Sequence, residues 1–398
     1  MRTKLWVSVF LLLAILPGAR PTSRKLPHDA YVWQRRWTPA VGAALEQSSD
    51  VIRAWRVLIA ELNPYGHWSL PVVDSSVLKN SQRPIVLVIR IDGRGISRDE
   101  GQTLADIDKL VERWRHTGLQ IAGLEIDHDC GVTQLRAYTR FVVRLRARLN
   151  RPVALSITAL PAWLPSPAVD ELFAKVDEIV LQVHAVRSPR VGLFDRELAR
   201  DWIWELSRRT SKPFRVALPA YGARVIWQNG GGLLAVESEA PLLEAADSAV
   251  ELMAAPRDVS ALLRDLEYSP PPNLSGVVWF RLPTAGDRRA WSLETWRAVI
   301  LARPLRTHIE AIVQPSDTPG MNSLVLANTG DVDAELPQIV DLPAACTVGD
   351  GVNGFVLGST DRGIKLQRSH VGFLRAHYHQ VIGWMRCAPS SESVHVQQ

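Results

Sequence analysis

The part of the sequence best suited to chemistry is a row of alternating acidic residues, Glu125, Asp127 and Asp129. Side chains of a β-strand point alternately to its two faces, so the three carboxyl groups are predicted to share one face. Like charges at this spacing raise the pKa of at least one carboxyl group, which then stays protonated and can act as an acid. The pattern predicts acid catalysis; the alternative is a buried ion network in which Arg90 or Arg281 neutralises the carboxylates.

Further candidates lie at or just past the ends of other predicted strands. His184 ends the sixth strand with Gln182 on the same face, which indicates either a base or sugar ligand or a hydrogen-bonded structural histidine. Exposed indoles are a usual platform for sugar rings, so we expect Trp163 and Trp279 to offer stacking surfaces and Trp33 to belong to the core. The remaining residues expected to line a sugar pocket are Gln34, Tyr221 and Arg281.

The elements that would position these residues alternate along most of the chain. Strand-like runs separated by amphipathic, helix-like stretches occur eight times over some 270 residues, at 30–33, 57–61, 84–91, 119–127, 153–158, 178–184, 214–219 and 276–281. This is the count of a (β/α)8 TIM barrel, whose active sites lie at the carboxyl ends of the strands. A doubly wound open sheet is the competing interpretation, but no Gly-rich phosphate loop follows the first strand.

The texture of the sequence changes near residue 304. Short strand-like runs split by Gly, Pro, Asn and Asp turns fill residues 308–388, which predicts a small β-sandwich. We therefore expect a signal peptide at 1–20, a barrel at 28–304, a sandwich-like domain at 305–388 and a flexible tail at 389–398. The connection 62–82 shows no strong helical period and is the weakest part of the barrel prediction.

Composition excludes several classes of protein. With 46% hydrophobic and 22% charged residues, the chain is neither disordered nor a multi-span membrane protein. Its net charge of +5 comes from dispersed residues, so we expect no nucleic-acid partner. Three widely spaced cysteines predict no zinc cage, and we expect no metal and no cofactor. The expected partner is a glycan, and the expected state is a monomer.

The first twenty residues resemble an export signal in composition. Arg2 and Lys4 precede an apolar run that is followed by Pro17 and Gly18, which predicts a secretory signal and a periplasmic or extracellular protein with no span after its removal. An uncleaved anchor is the alternative. An oxidising destination permits disulfides, for which Cys346 and Cys387 are the candidates, whereas Cys130 is predicted to be a packed thiol. 

Two stretches and a tripeptide resemble the chitinase-like glycoside hydrolases of family eighteen. Residues 122–129 are similar to the fourth-strand signature Asp-Gly-x-Asp-x-Asp-x-Glu, and residues 217–224 are similar to the seventh-strand phrase Pro-x-Tyr-Gly-Arg. Residues 278–280 stand where that family places a Trp as the floor of the sugar site. More of the chain resembles a bacterial secreted family known as domain of unknown function 3142, through residues 31–37, 124–130, 155–161 and 181–184.

The resemblance implies roles for two of the acids. The final Glu of the hydrolase signature protonates the leaving oxygen, and the matching residue is Asp129. The preceding Asp orients a substrate acetamido group that acts as internal nucleophile, and the match is Asp127. Ala122 and Glu125 depart from the signature, and Asp129 is one methylene shorter than Glu. The sixth strand also differs, because Gln182 and His184 stand where the hydrolases usually have Tyr-Asp.

These observations lead to one hypothesis and two alternatives. The hypothesis is an exported glycoside-hydrolase-like protein in which Asp129 is the general acid, Asp127 stabilises or orients, and Glu125 tunes their protonation. His184, Gln182, Tyr221 and Trp279 would line the sugar pocket. The alternatives are a non-catalytic carbohydrate-binding protein on a degenerate hydrolase barrel, and an exported structural or assembly factor that works through the C-terminal domain.

Overall fold

The computed structural model describes residues 25–93, 96, 99–149, 153–184, 192–227, 233–237, 249–287, 289–316, 318, 320–342, 346–360, 363–369, 372–387 and 395–397. The predicted signal peptide at 1–20 lies outside the described residues. Among the described residues, no helix is long and apolar enough to cross a membrane.

Eight parallel strands close into a barrel, and they lie at the eight predicted positions, which confirms the (β/α)8 fold. We number only these strands: β1 His28–Val32, β2 Ala54–Leu62, β3 Ile85–Ile91, β4 Ile121–His128, β5 Ala154–Ala159, β6 Glu178–Gln182, β7 Phe214–Pro219 and β8 Leu274–Phe280. Each strand pairs with the next one, and β8 pairs with β1 to complete the ring. All eight carboxyl ends therefore meet at one rim, called the mouth below.

A helix follows every strand. The helices are α1 Pro39–Ser48, α2 Ser75–Asn80, α3 Glu100–Arg115, α4 Leu135–Arg148, α5 Ala168–Phe173, α6 Arg196–Arg209, α7 Pro256–Tyr268 and α8 Leu293–Ile300. In α4 the buried side chains include Leu135, Tyr138 and Leu145, the stripe that the helical period predicts. Asp99 and Asp195 accept hydrogen bonds from the first turns of α3 and α6, which fixes where these helices begin.

Two connections add short strands to the barrel. After β2, the chain forms a hairpin in which Trp68–Ser69 pairs antiparallel with the end of β2. After β7, three strands at Gly222–Trp227, Leu233–Glu237 and Ala249–Met253 form a small separate sheet. Helix α7 consequently begins only at Pro256, after this small sheet.

The barrel has one hydrophobic core between the ring of strands and the helices, and a second one within the ring. The larger core packs the outer strand faces against the helices. The smaller core lies within the barrel and is formed by inward-facing residues of several strands, namely Tyr31, Trp33, Leu58, Val88, Val180, Ala217 and Val278. The rest of the interior holds charged side chains, which are described with the site.

The C-terminal segment folds as two packed antiparallel sheets, as predicted. One sheet contains Ile309–Pro315, Asn322–Asn328, His379–Cys387 and Cys346–Gly351, and the other contains Phe355–Thr360, Gly363–Arg368, Ile339–Asp341 and His395–Gln397. A pair of short strands, Ala334–Glu335 and Phe373–Leu374, lies beside them. Leu324 and Ile382 of the first sheet share a core with Val340 and Leu366 of the second. His395–Gln397, within the predicted tail, form the edge strand of the second sheet beside Ile339–Asp341.

The cysteines are arranged as the sequence suggests. Cys346 is disulfide-bonded, and its backbone lies directly opposite Cys387 in the antiparallel register. Cys130 is a free, buried thiol whose pKa is raised to about 12 by burial, so it is not a reactive nucleophile.

Candidate active site at the barrel mouth

The lower part of the barrel interior is a buried ion network built around Arg56. The Arg56 guanidinium contacts the carboxylates of Glu125, Asp29 and Glu178. Glu125 is completely buried and also accepts a hydrogen bond from the Tyr31 hydroxyl. This acid is therefore neutralised in the barrel core and does not reach a ligand, so the expectation that Glu125 belongs to the catalytic group is wrong in this structure.

A second guanidinium completes the network. Arg215 donates to Glu178 over 2.8 Å, and its Nη1 lies 3.4 Å from the carbonyl oxygen of Pro27. A Cβ atom at Gly276 would lie 2.3 Å from that Nη1, so glycine at this position of β8 makes room for the Arg215 side chain. The network thus explains why charged residues occur inside otherwise apolar strands.

Asp127 lies above this network and is almost fully buried. Its Oδ2 accepts a 2.7 Å hydrogen bond from Nη1 of Arg90, and its Oδ1 accepts from Thr158 Oγ1 at 2.7 Å and from Gln182 Nε2 at 3.3 Å. With both oxygens occupied and an arginine beside it, the carboxylate is held in place as a fixed negative charge. Glu125 and Asp127 thus share the inner face of β4, as the alternation predicts, but both are buried and paired with arginines.

Asp129 is the acid that reaches the mouth. Its side chain is 35% exposed, and Oδ2 accepts a 3.1 Å hydrogen bond from Nη2 of Arg90, the same guanidinium that holds Asp127. Its Oδ1 is buried and has no hydrogen-bond partner among the described residues. Burial, and second to it the charge of Asp127, raises the pKa of Asp129 to about 6, while Arg90 opposes the rise. The Arg90 guanidinium thus contacts two carboxylates and carries only one positive charge, which favours the protonated form of Asp129.

His184 and Tyr221 meet just past the ends of β6 and β7. The Tyr221 hydroxyl lies 3.2 Å from Nδ1 of His184, and His184 Nε2 is buried without a hydrogen-bond partner among the described residues. Burial lowers the pKa of His184 to about 4, so its imidazole is neutral at pH 7. Burial also raises the pKa of Tyr221 to about 12, and the charge of Asp129 adds to this rise, which places Asp129 within electrostatic range of the phenol.

Arg281 supports this pair from behind and is itself completely buried. Its guanidinium lies 5.7 Å from the centre of the Tyr221 ring and is paired with Asp287, to which Nε donates over 2.9 Å. Arg281 therefore orients Tyr221, and the expectation that it contacts sugar directly is wrong because no part of it is exposed.

The aromatic ring that lines the mouth is Phe280 rather than Trp279. Phe280 is half-buried, stacks on His184 with ring centroids 5.3 Å apart, and contacts Tyr221 and Trp33 edge-on. Trp279 is one residue away and therefore points outward, where it is fully buried against Trp291 and Trp296. The prediction of Trp279 as a sugar platform is wrong by one position in the strand alternation.

Trp163 is also unavailable to a ligand. It is 1% exposed, its Nε1 donates to the carbonyl oxygen of Cys130, and its ring packs against Tyr138 of α4. It fills the space between barrel and helices and cannot stack on a sugar. Gln34 does lie at the mouth, half-buried after β1, where Nε2 donates to the carbonyl oxygen of Leu282 and Oε1 has no partner among the described residues.

The mouth therefore presents three buried polar atoms that lack partners within the described part of the chain: Gln34 Oε1, Asp129 Oδ1 and His184 Nε2. Buried polar atoms in folded proteins nearly always have hydrogen-bond partners, so such atoms indicate a place for a ligand or water. No group of three or more His, Cys, Asp or Glu side chains within the described ranges is arranged to hold a metal ion.

Some of the important residues were missed by sequence reasoning. Arg56, Asp29, Glu178 and Arg215 form the network beneath the site, and the available signal was a single charge inside each apolar strand. Phe280 was missed because its neighbour Trp279 was predicted to be the sugar platform.

The chain is thus a (β/α)8 barrel protein with an acid of raised pKa at its mouth. The chain belongs to the family described as Domain of unknown function (DUF3142), whose model matches residues 81–285. Residues 311–388 match a second model, Domain of unknown function (DUF8456). No curated protein matches this chain.

Solved structures share the barrel. The spore cortex-lytic enzyme SleL of Bacillus megaterium is 14% identical, with a TM-score of 0.52 over 74% of this chain and 78% of that one. SleL of Bacillus cereus is 14% identical, with a TM-score of 0.49 over 71% and 75%. A chitinase of Chromobacterium violaceum is 14% identical, with a TM-score of 0.49 over 70% and 100%. At this identity, the likeness to the first structure shows the fold.

Proposed function

We propose that the barrel mouth binds a glycan and that Asp129 acts as general acid in hydrolysis of a glycosidic bond. The observation that carries the proposal is Asp129 itself, an acid at the carboxyl end of β4 with a pKa of about 6 and a buried oxygen that has no partner among the described residues. A general acid works best when its pKa lies near the working pH. The fold shared with a spore cortex-lytic enzyme supports the same class of reaction.

The proposed reaction begins with the proton on Asp129. That proton moves to the bridging oxygen, the bond from this oxygen to the anomeric carbon breaks, and the electron pair remains on the leaving oxygen. Water supplies the hydroxyl group that ends on the anomeric carbon, and its second proton restores Asp129. The fixed charge of Asp127 raises the pKa of Asp129 before the reaction and stabilises the positive charge that develops on the sugar afterwards.

Asp127 fits an electrostatic and orienting role better than attack on the sugar. Its two oxygens already accept hydrogen bonds from Arg90, Thr158 and Gln182, so attack would require loss of these contacts. The resemblance to family eighteen implies that an acetamido group of the substrate takes the role of nucleophile, which Asp127 would orient. His184, Phe280 and Tyr221 supply an apolar face with one hydrogen-bonding nitrogen for the sugar ring.

The test is hydrolysis of a panel of polysaccharides by the full chain, followed through release of reducing ends. We expect Asp129→Asn to lower kcat by roughly 100-fold or more, the usual contribution of a general acid. The matched control is Asp92→Asn, the same change at a neighbouring exposed carboxylate, which should keep most of the activity. If no member of the panel is hydrolysed by the unaltered protein, or if Asp129→Asn is as active, the hydrolase proposal is wrong.

A binding protein without catalysis is the second candidate. The observation in its favour is that Glu125 and Asp127 are buried and paired with arginines, so Asp129 is the accessible member of the three. Saturable glycan binding that produces no reducing ends and survives Asp129→Asn would assign the mouth to recognition alone.

Export is also proposed, on the basis of the basic, apolar and small residues at 1–20. Fractionation of cells that express the full chain, with N-terminal sequencing of the product, tests it. Intact protein confined to the cytoplasm would contradict it.

A further inference from the structure

A groove beside the mouth, between the β2 hairpin and α3, has the features of a second sugar subsite. It encloses about 360 Å³, within the usual range for small-molecule sites. Leu62, the last residue of β2, lines it, and the carbonyl oxygen of Leu62 accepts a hydrogen bond from the Asp92 amide. Asp92 directly follows β3, whose Arg90 contacts Asp129 over 3.1 Å, so the groove lies at the same rim of the barrel as this acid.

The hairpin wall presents two aromatic residues, Tyr65 and Trp68, on an ordered backbone turn. Tyr65 stands at the tip and is 69% exposed. The tip is rigid because the Asn63 side-chain oxygen accepts hydrogen bonds from the amides of Tyr65 and His67, both at 2.9 Å. Trp68 lies half-buried at the base, and its Nε1 donates to Asp106 of α3 over 3.2 Å. Aromatic rings that are ordered before binding lose little conformational freedom on contact with a ligand.

The helix wall presents two carboxylates and a neutral amide. Asp99, Gln102 and Asp106 line it, and the described residues of the groove lining include no Lys or Arg. Lys109 lies outside the lining and 3.5 Å from Asp106. Flat aromatic rings opposite carboxylate and amide groups match the apolar faces and the hydroxyl groups of a sugar, while the two carboxylates repel an anionic polymer.

We infer that this groove binds one or more sugar units of an uncharged glycan whose neighbouring unit lies at Asp129. The inference rests on the proposed function, since it takes the mouth to be a glycan site. Tyr65 supplies the stacking surface. Because of the groove, longer glycans bind more tightly than shorter ones, and glycans with acidic sugars bind more weakly than uncharged ones.

The experiment is calorimetric titration of the full chain with oligosaccharides of two to six units. The probes are three uncharged β-1,4 series (N-acetylglucosamine, glucose and xylose) and one anionic series, galacturonic acid. For at least one uncharged series we expect six units to bind about tenfold more tightly than two, a gain typical of a stacked ring. Tyr65→Ala should remove this gain and leave the affinity for two units unchanged. Tyr268→Ala, a change at a similarly exposed tyrosine at the end of α7, is the control and should change neither value.

The outcomes separate this inference from the hydrolase proposal. Affinity that does not grow with length, a gain that survives Tyr65→Ala, or tighter binding of the galacturonic acid series overturns the groove even if hydrolysis depends on Asp129. A length gain that requires Tyr65 in a protein without hydrolytic activity supports the groove and removes the acid mechanism. Failure of every uncharged series to bind overturns the groove, and the polysaccharide panel separately decides the hydrolase proposal.

Discussion

The pKa of Asp129 should depend on Asp127 and Arg90 in opposite directions. Asp127→Asn removes a negative charge two residues away on the same strand, a separation of about 6.6 Å along the backbone. At an effective dielectric constant of about 20, two charges at that distance interact by about 2.5 kcal/mol, equivalent to about 1.8 pKa units. Because Asp129 is 35% exposed and shares Arg90, we expect a fall of about one unit from the value near 6.

The assay needs no ligand. The carboxyl carbon of Asp129 is followed by NMR as a function of pH in protein with 13C-labelled aspartate. Arg90→Met should raise the pKa of Asp129, because Arg90 opposes its rise. Asp92→Asn should lower the pKa by less than Asp127→Asn, because the charge of Asp92 acts on Asp129 more weakly than that of Asp127. A midpoint near 4 in the unaltered protein, or no movement in Asp127→Asn, would refute the conclusion that burial and the charge of Asp127 raise the pKa of Asp129.

Three further changes test the site and its supports. Asp129→Asn should stabilise the protein at pH 8 by on the order of 1 kcal/mol after solvent screening, and should not stabilise it at pH 4. The reason is that the pKa of Asp129 is raised in the folded state, so its ionisation costs stability as the pH rises through 6. Urea unfolding at both pH values measures this difference. Arg56→Met should lower the free energy of unfolding by about 3–5 kcal/mol, whereas Arg53→Met, at the exposed partner of Asp29, should cost under about 1 kcal/mol; equal losses would contradict the buried network. Arg375→Ala should speed amide hydrogen exchange in residues 282–292, because Arg375 donates to the carbonyl oxygens of Ala285 and Asp287; unchanged exchange would refute this support.

The C-terminal domain contacts the loop that contains Asp287, the residue that pairs with Arg281. Asp333 accepts hydrogen bonds from the amides of Ser292 and Ala376, and thereby ties the start of α8 to these sheets. Arg375 contacts the preceding loop, in which Asp287 pairs with Arg281 beneath Tyr221. These contacts give the C-terminal domain a structural connection to the mouth and make the Arg375 variant informative about that connection.

The sequence by itself was sufficient for the fold, because the periods of strands and helices are local properties of the chain. Eight apolar runs with amphipathic stretches between them predicted the barrel, and the turn-rich segment after residue 304 predicted the C-terminal sheets. The alternation of Glu125, Asp127 and Asp129 also predicted that these acids share one face.

Only the tertiary structure decided which of these residues a ligand can reach. Depth along the barrel axis and the identity of the neutralising partner depend on other strands: Arg56 of β2 buries Glu125, and Arg90 of β3 is shared by Asp127 and Asp129. A shift of one residue in the alternation likewise exchanged Trp279 for Phe280 at the mouth. Periodicity along one strand specifies a face, whereas burial and charge pairing depend on closure of the barrel, which brings distant parts of the chain together.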